Sequence, residues 1–83
     1  MTSIAEVKVV LEQVCEQLRE SYRTTRGAQA DLDDAVAILA ETSETHHESL
    51  LPPEWGRAKE RFPDVLELIV STLDKIDQLS AEL

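Results

Sequence analysis

Turn-forming residues are scarce: two glycines and three prolines serve 83 residues. A β-sandwich or barrel needs a turn about every ten residues, so the chain is expected to be all-α. Aromatics are equally few. Tyr22, Trp55 and Phe62 are the only three, which leaves any core to Leu, Ile, Val and Ala. A lone cysteine, Cys15, excludes an internal disulfide and makes a reducing compartment the expectation. No stretch approaches the ~20 apolar residues of a membrane span, so no membrane insertion is expected. The N-terminal MTSIAEVKVVLEQ lacks the basic start and unbroken apolar run of a cleaved signal peptide. These readings place the chain in the cytoplasm, with export by a route that removes no signal peptide as the alternative.

Positive charge is in short supply as well. Eight Lys and Arg stand against seventeen Asp and Glu, a net charge of −9. A nucleic-acid binder would present a basic face to phosphates, and an anionic membrane surface would repel this chain. The balance suits a solvated helical surface or a basic protein partner. At this length the chain makes one domain with a small core.

What is present is helical periodicity. Ser3 and Glu6 form an S-x-x-E capping box, predicting a first helix from about residue 4 to 42. Ile4, Val7, Leu11, Val14, Leu18, Ser21, Thr25, Ala28, Leu32, Ala35, Leu39 and Thr42 alternate steps of three and four, the seam of helices packed nearly parallel or antiparallel. Val10, Tyr22, Val36 and Ile38 widen the stripe. Gly27 costs roughly 1 kcal/mol against Ala inside a helix, yet the seam keeps its phase across it. Pro52 and Pro53 suit a first helical turn and predict a second helix over 53–82. Its seam runs through Trp55, Ala58, Phe62, Val65, Ile69, Thr72, Ile76, Leu79 and Leu83, broadened by Leu66, Val70 and Leu73. Pro63 predicts either a kink or a short leading helix.

A loop over 43–52 returns the chain, giving an antiparallel, coiled-coil-like helical hairpin. If Leu39 packs near Ala58, the numbers of facing residues add to about 97. Arg57 then faces Glu41, Arg61 faces Asp31–Asp34, and Arg19, Arg23 and Arg26 face Asp74 and Asp77. Leu83 reaches only to about Val14, so Ile4, Val7, Val10 and Leu11 overhang. An apolar overhang on so small a hairpin implies a partner, and dimerisation into a four-helix bundle is the economical solution. The candidate interaction residues are therefore Ile4, Val7, Val10, Leu11, Val14 and Leu18 on the first helix.

The segment ETSETHHESLLPPEWG holds the only histidines, His46 and His47, beside Glu44 and Glu48. Adjacent histidines diverge on most backbones, and zinc sites use spacings that share one helical face. No third His and no neighbouring Cys completes a shell, so no metal or cofactor is expected. Ser43 and Ser49 beside the histidines lack a preformed pocket, and no catalytic residue is assigned. The segment reads as the hairpin connection. Cys15, beside the seam, reads as a half-buried small hydrophobe.

Two helices, a connection and Trp55-Gly56 at the start of the second helix resemble the WXG-type proteins of ESX (type VII) secretion. Here the Trp and Gly are adjacent instead of separated by one residue, and the only tyrosine, Tyr22, precedes the connection. The stretch HHESLLPPEW behind a helix of the form SIAEVKVVLEQV is also similar to small actinobacterial helical proteins and to N-terminal modules of polymorphic toxins. Both resemblances imply a non-enzymatic interaction or export-associated module, and add Trp55 and Gly56 to the candidate interaction residues. The competing expectation is an acidic antitoxin, immunity or inhibitor protein that covers a basic partner.

Overall fold

The computed structural model describes residues 3–46 and 48–83. It is an antiparallel hairpin of two helices, α1 (Ile4–His46) and α2 (Pro53–Glu82), and the described residues contain no strand. The all-α hairpin expected from the sequence is what the chain forms. At 1.5 Å per residue the 43 residues of α1 span about 65 Å, which sets the length of a rod measuring 66 × 17 × 15 Å.

Local chemistry explains the helix ends. Ser3 Oγ accepts a hydrogen bond from the Glu6 amide at 3.1 Å, the hydroxyl half of the expected capping box. Pro52 is the N-cap of α2 and Pro53 its first helical residue, where the missing N–H is no loss. α1 runs four residues past the expected end. Ser43, expected in the loop, is helical and donates to the Leu39 carbonyl at 2.7 Å. Its oxygen also accepts from the Leu50 amide at 2.9 Å, so one hydroxyl ties the returning chain to the last turns of α1. His46 lies in the final turn, while His47 falls outside the described residues.

Both weak points are absorbed without a break. α1 is continuous through Gly27, and α2 is continuous through Pro63, so the short leading helix considered for the sequence does not form. A Cβ placed on Gly27 or on Gly56 meets nothing within 4 Å.

The seam differs from expectation in one respect. Leu11, Leu18, Thr25, Leu32 and Leu39 do face α2, as do Phe62, Ile69 and Ile76 on the other side. The alternate row does not. Val14, Ser21, Ala28 and Thr42 are exposed, and Cys15, Tyr22, Gln29 and Ser43 take the inward positions one residue later. On α2 the same shift exchanges Val65, Thr72 and Leu79 for Leu66, Leu73 and Ser80. The physical reason is size: Tyr22, Leu66 and Leu73 bury more apolar surface than Ser21, Val65 and Thr72. Thr25 tolerates the seam because its hydroxyl donates to the Ser21 carbonyl at 2.7 Å.

The register also differs. Asp33 pairs with Lys59 at 3.8 Å, so the numbers of level residues add to about 92 instead of 97. Cys15 and Leu11 accordingly share a groove with Ile76 and Ser80. The connection causes the slide. It lies along the end of α1, with Leu51 and Pro52 beside Val36, so its length is spent along the rod instead of across the tip. Three consequences correct the sequence reading. Leu11 is covered by α2 and does not overhang. The overhang shrinks to the first turns around Ile4. The expected pairs of Arg57, Arg61, Arg19, Arg23 and Arg26 with α1 or α2 acids do not form among the described residues; Arg19 and Arg23 pair within α1, with Glu16 at 2.8 Å and Glu20 at 2.7 Å. Exposed pairs contribute at most about 1 kcal/mol, too little to fix a register.

Removing the flaws should show in stability. Gly27→Ala is expected to stabilise by about 0.5–1 kcal/mol, since the added methyl meets no neighbour. Leu66→Ala, which truncates a residue only 8 % exposed, is expected to cost about 2–4 kcal/mol. Urea unfolding followed by circular dichroism measures both.

Candidate interaction surface

The candidate residues do not form one patch. Leu11 and Leu18 are half-buried against α2 and belong to the hairpin's own contact. Ile4, Val10 and Val14 are exposed at the free end of the rod, with Val7 half-buried among them. Trp55 and Gly56 sit near the connection, at the opposite end. Trp55 is half-buried beside Val36, Leu51 and Pro52, whereas Gly56 is exposed.

Helical geometry sorts the remaining side chains into two flanks. The row one residue before the inward one on α1 holds Val7, Val14, Ser21, Ala28, Ala35 and Thr42. On α2 the equivalent row holds Ala58, Val65, Thr72 and Leu79. In an antiparallel pair of right-handed helices these rows emerge on the same side of the rod. Neither contains a charge. The other flank carries Glu12, Arg19, Arg26 and Asp33 from α1 and Asp77 from α2, and the Asp33–Lys59 pair closes across it. Its grooves between the helices are lined by Arg19, Tyr22, Arg23, Val70 and Leu73, and by Lys8, Glu12, Asp77 and Ser80. The Arg23 guanidinium is held above its ordinary pKa by its hydrogen bond to Glu20 and that carboxylate's charge.

The distribution of exposed apolar groups follows the same division. Among the described residues ten large apolar side chains stay exposed, and Val10, Val14, Ile38, Val65, Leu68 and Leu79 lie on or beside the uncharged flank. Val70 and Val9 belong to the charged one, and Ile4 and Leu83 stand at the free end. Sequence reasoning listed Val10 and Val14 but missed the α2 half, because Val65, Thr72 and Leu79 were assigned to the internal seam. The signal was there in the doubled stripe of each helix: two uncharged rows, of which a single partner helix covers one.

The interior is correspondingly thin. Cys15, 4 % exposed, and Leu66, 8 % exposed, are the only buried residues among those described, and no polar or charged side chain is buried. Cys15 is thus buried more deeply than the half-buried position expected. Among the described residues no group of three or more His, Cys, Asp or Glu is placed to hold a metal. None of the described helices is long and apolar enough to cross a membrane.

No protein-family model matches the chain, and neither a curated protein nor a solved structure shows significant similarity to it.

The burial of Cys15 has a direct readout. The native thiol is expected to react with an aromatic disulfide reagent at least ~100-fold more slowly than the thiol in urea, because reaction requires opening of the seam. A native rate close to the unfolded one would mean that the two helices part readily around Cys15.

Proposed function

We propose that this chain is a non-enzymatic protein–protein interaction module that works as a helical-hairpin dimer, assembling as a four-helix bundle. The observation that carries the proposal is the mismatch between apolar surface and interior. Among the described residues one copy buries two and leaves ten large apolar side chains exposed. A compact monomer of 9.3 kDa exposes about 5,000 Å². The hairpin exposes 6487 Å², an excess of about 1,500 Å² on that scale. Its radius of gyration, 19.3 Å, compares with about 12 Å for a compact chain of this length. A second pair of helices is the ordinary way for such a rod to acquire a core.

The non-enzymatic part rests on where the reactive groups lie. Glu, Asp, His46 and most of the serines occupy open helix surface or the connection, Ser43 and Ser80 lie half-buried in the seam, and Cys15 is sealed in it. Catalysis requires such groups to be held against a substrate in a shielded place. A role alongside secretion or toxin machinery, suggested by the resemblance of the hairpin and Trp55-Gly56 to WXG-type proteins, belongs to the same proposal. The acidic-inhibitor reading draws on the −9 charge, which is spread over the outer faces; it predicts a monomer that binds a basic partner.

The two readings separate on concentration dependence. For a dimer whose subunits are marginal alone, the melting temperature should rise by several degrees between about 5 μM and about 100 μM chain. Sedimentation equilibrium over the same range should give twice the chain mass. A monomer with a melting temperature independent of concentration overturns the dimeric reading.

A further inference from the structure

Resting on the dimeric reading above, we propose which face joins the two copies and how they are turned. A second copy of this chain seats on the uncharged flank, with the two-fold axis running along the rod. α1 of each copy then lies against α2 of the other.

Three independent features of that flank support a second copy as its occupant. The first is extent. The flank is one broad side of a rod 66 Å by 17 Å, a footprint of about 1,100 Å² against the ~800 Å² per partner of a standard stable interface.

The second is its readiness to lose water. Only three polar side chains stand in its two inner rows, Ser21, Thr42 and Thr72. Each donates its hydroxyl hydrogen to the carbonyl four residues earlier: Gln17 at 3.0 Å, Ile38 at 2.9 Å and Leu68 at 2.7 Å. With those donors satisfied inside the helix, covering the flank leaves none of them without a partner. Every position in the rows is then either apolar or already bonded.

The third is charge at the rim. Next outward on α1 run Val10, Gln17, Thr24, Asp31 and Ile38, with Asp31 the only charge. The corresponding α2 row contains Glu54, Arg61, Leu68, Lys75 and Glu82, of which the two acids stand at its ends, level with Ile38 and Val10. In the observed register, where Asp33 meets Lys59, Asp31 is level with Arg61 and Gln17 is level with Lys75. Within one chain these residues stand on the far sides of the rod, and neither Asp31 nor Arg61 has an ion-pair partner among the described residues. A two-fold axis along the rod keeps levels unchanged and swaps sides. It therefore brings Asp31 of each copy beside Arg61 of the other. An axis across the rod would instead set α1 against α1 and separate them.

The full-length chain tests face and axis together. Sedimentation equilibrium of Leu79→Glu with Val65→Glu should show at least a tenfold weaker dimer. Val70→Glu, on the charged flank, should dimerise as the wild type does. For the axis, Gln17→Cys with Lys75→Cys in a Cys15→Ala background should form a covalent dimer under mild oxidation, and Gln17→Cys alone should not. Circular dichroism confirms that each variant is helical; should Leu79→Glu with Val65→Glu fail to fold, the cysteine pair still decides. A monomeric wild type overturns both this inference and the dimeric reading. A dimeric wild type dissociated by Val70→Glu but not by the Leu79 and Val65 pair overturns the choice of face alone. A dimer of the Gln17→Cys, Lys75→Cys variant whose introduced thiols fail to couple overturns the axis.

Discussion

The contact between α1 and α2 is one layer deep, and most other properties of the molecule depend on that. A helix has a circumference, and a single neighbour covers only a narrow arc of it. Here that arc takes the row of Leu11, Leu18, Thr25, Leu32 and Leu39 together with Cys15 and Tyr22. Side chains in it have α2 on one side and solvent on both flanks, so nearly all of them stay half-buried. Among the described residues only Cys15 and Leu66 are buried. The hydrophobic effect scales with area removed from water, so the rod leaves much of its available stabilisation unused while its second uncharged rows stay wet.

Much of this architecture was legible in the chain. The helix starts at Ile4 and Pro53 follow from local chemistry, a hydroxyl cap in one case and a proline pair in the other. The antiparallel return follows from a short connection. The phase of the seam was half legible. In α1 the rows containing Val14 and Cys15 are both uncharged enough to face a partner, and they differ by only 100° of rotation. Periodicity marks both as apolar and says little about which is turned inward. The heavier side chains of Tyr22, Leu66 and Leu73 decided it, a matter of packing volume that a pattern of apolar and polar letters does not carry.

Register was the least legible feature. It was inferred from opposite charges brought face to face, yet such charges are solvated and weakly coupled. The connection proved stronger. Ser43 binds the Leu50 amide and holds the returning chain against α1, shifting α2 along the rod. As for the candidate interaction residues, the free-end residues Ile4, Val10 and Val14 are indeed exposed, whereas Leu11 and Leu18 serve the hairpin. The α2 contribution to the uncharged flank could be recognised only once its true seam was known.

The Ser43 clasp also sets the order in which the hairpin can close. Val36 and Trp55 line one groove across a short stretch of chain, while Cys15 and Ile76 line another across most of it. Loop-closure entropy grows with the length of chain enclosed, so the two helices zip from the connection toward the free end, each turn shortening the loop left for the next. The end with the clasp forms early and the end bearing Ile4 and Leu83 forms last. In such a molecule the free termini are the part that opens most readily, and the indole of Trp55 marks the part that opens least.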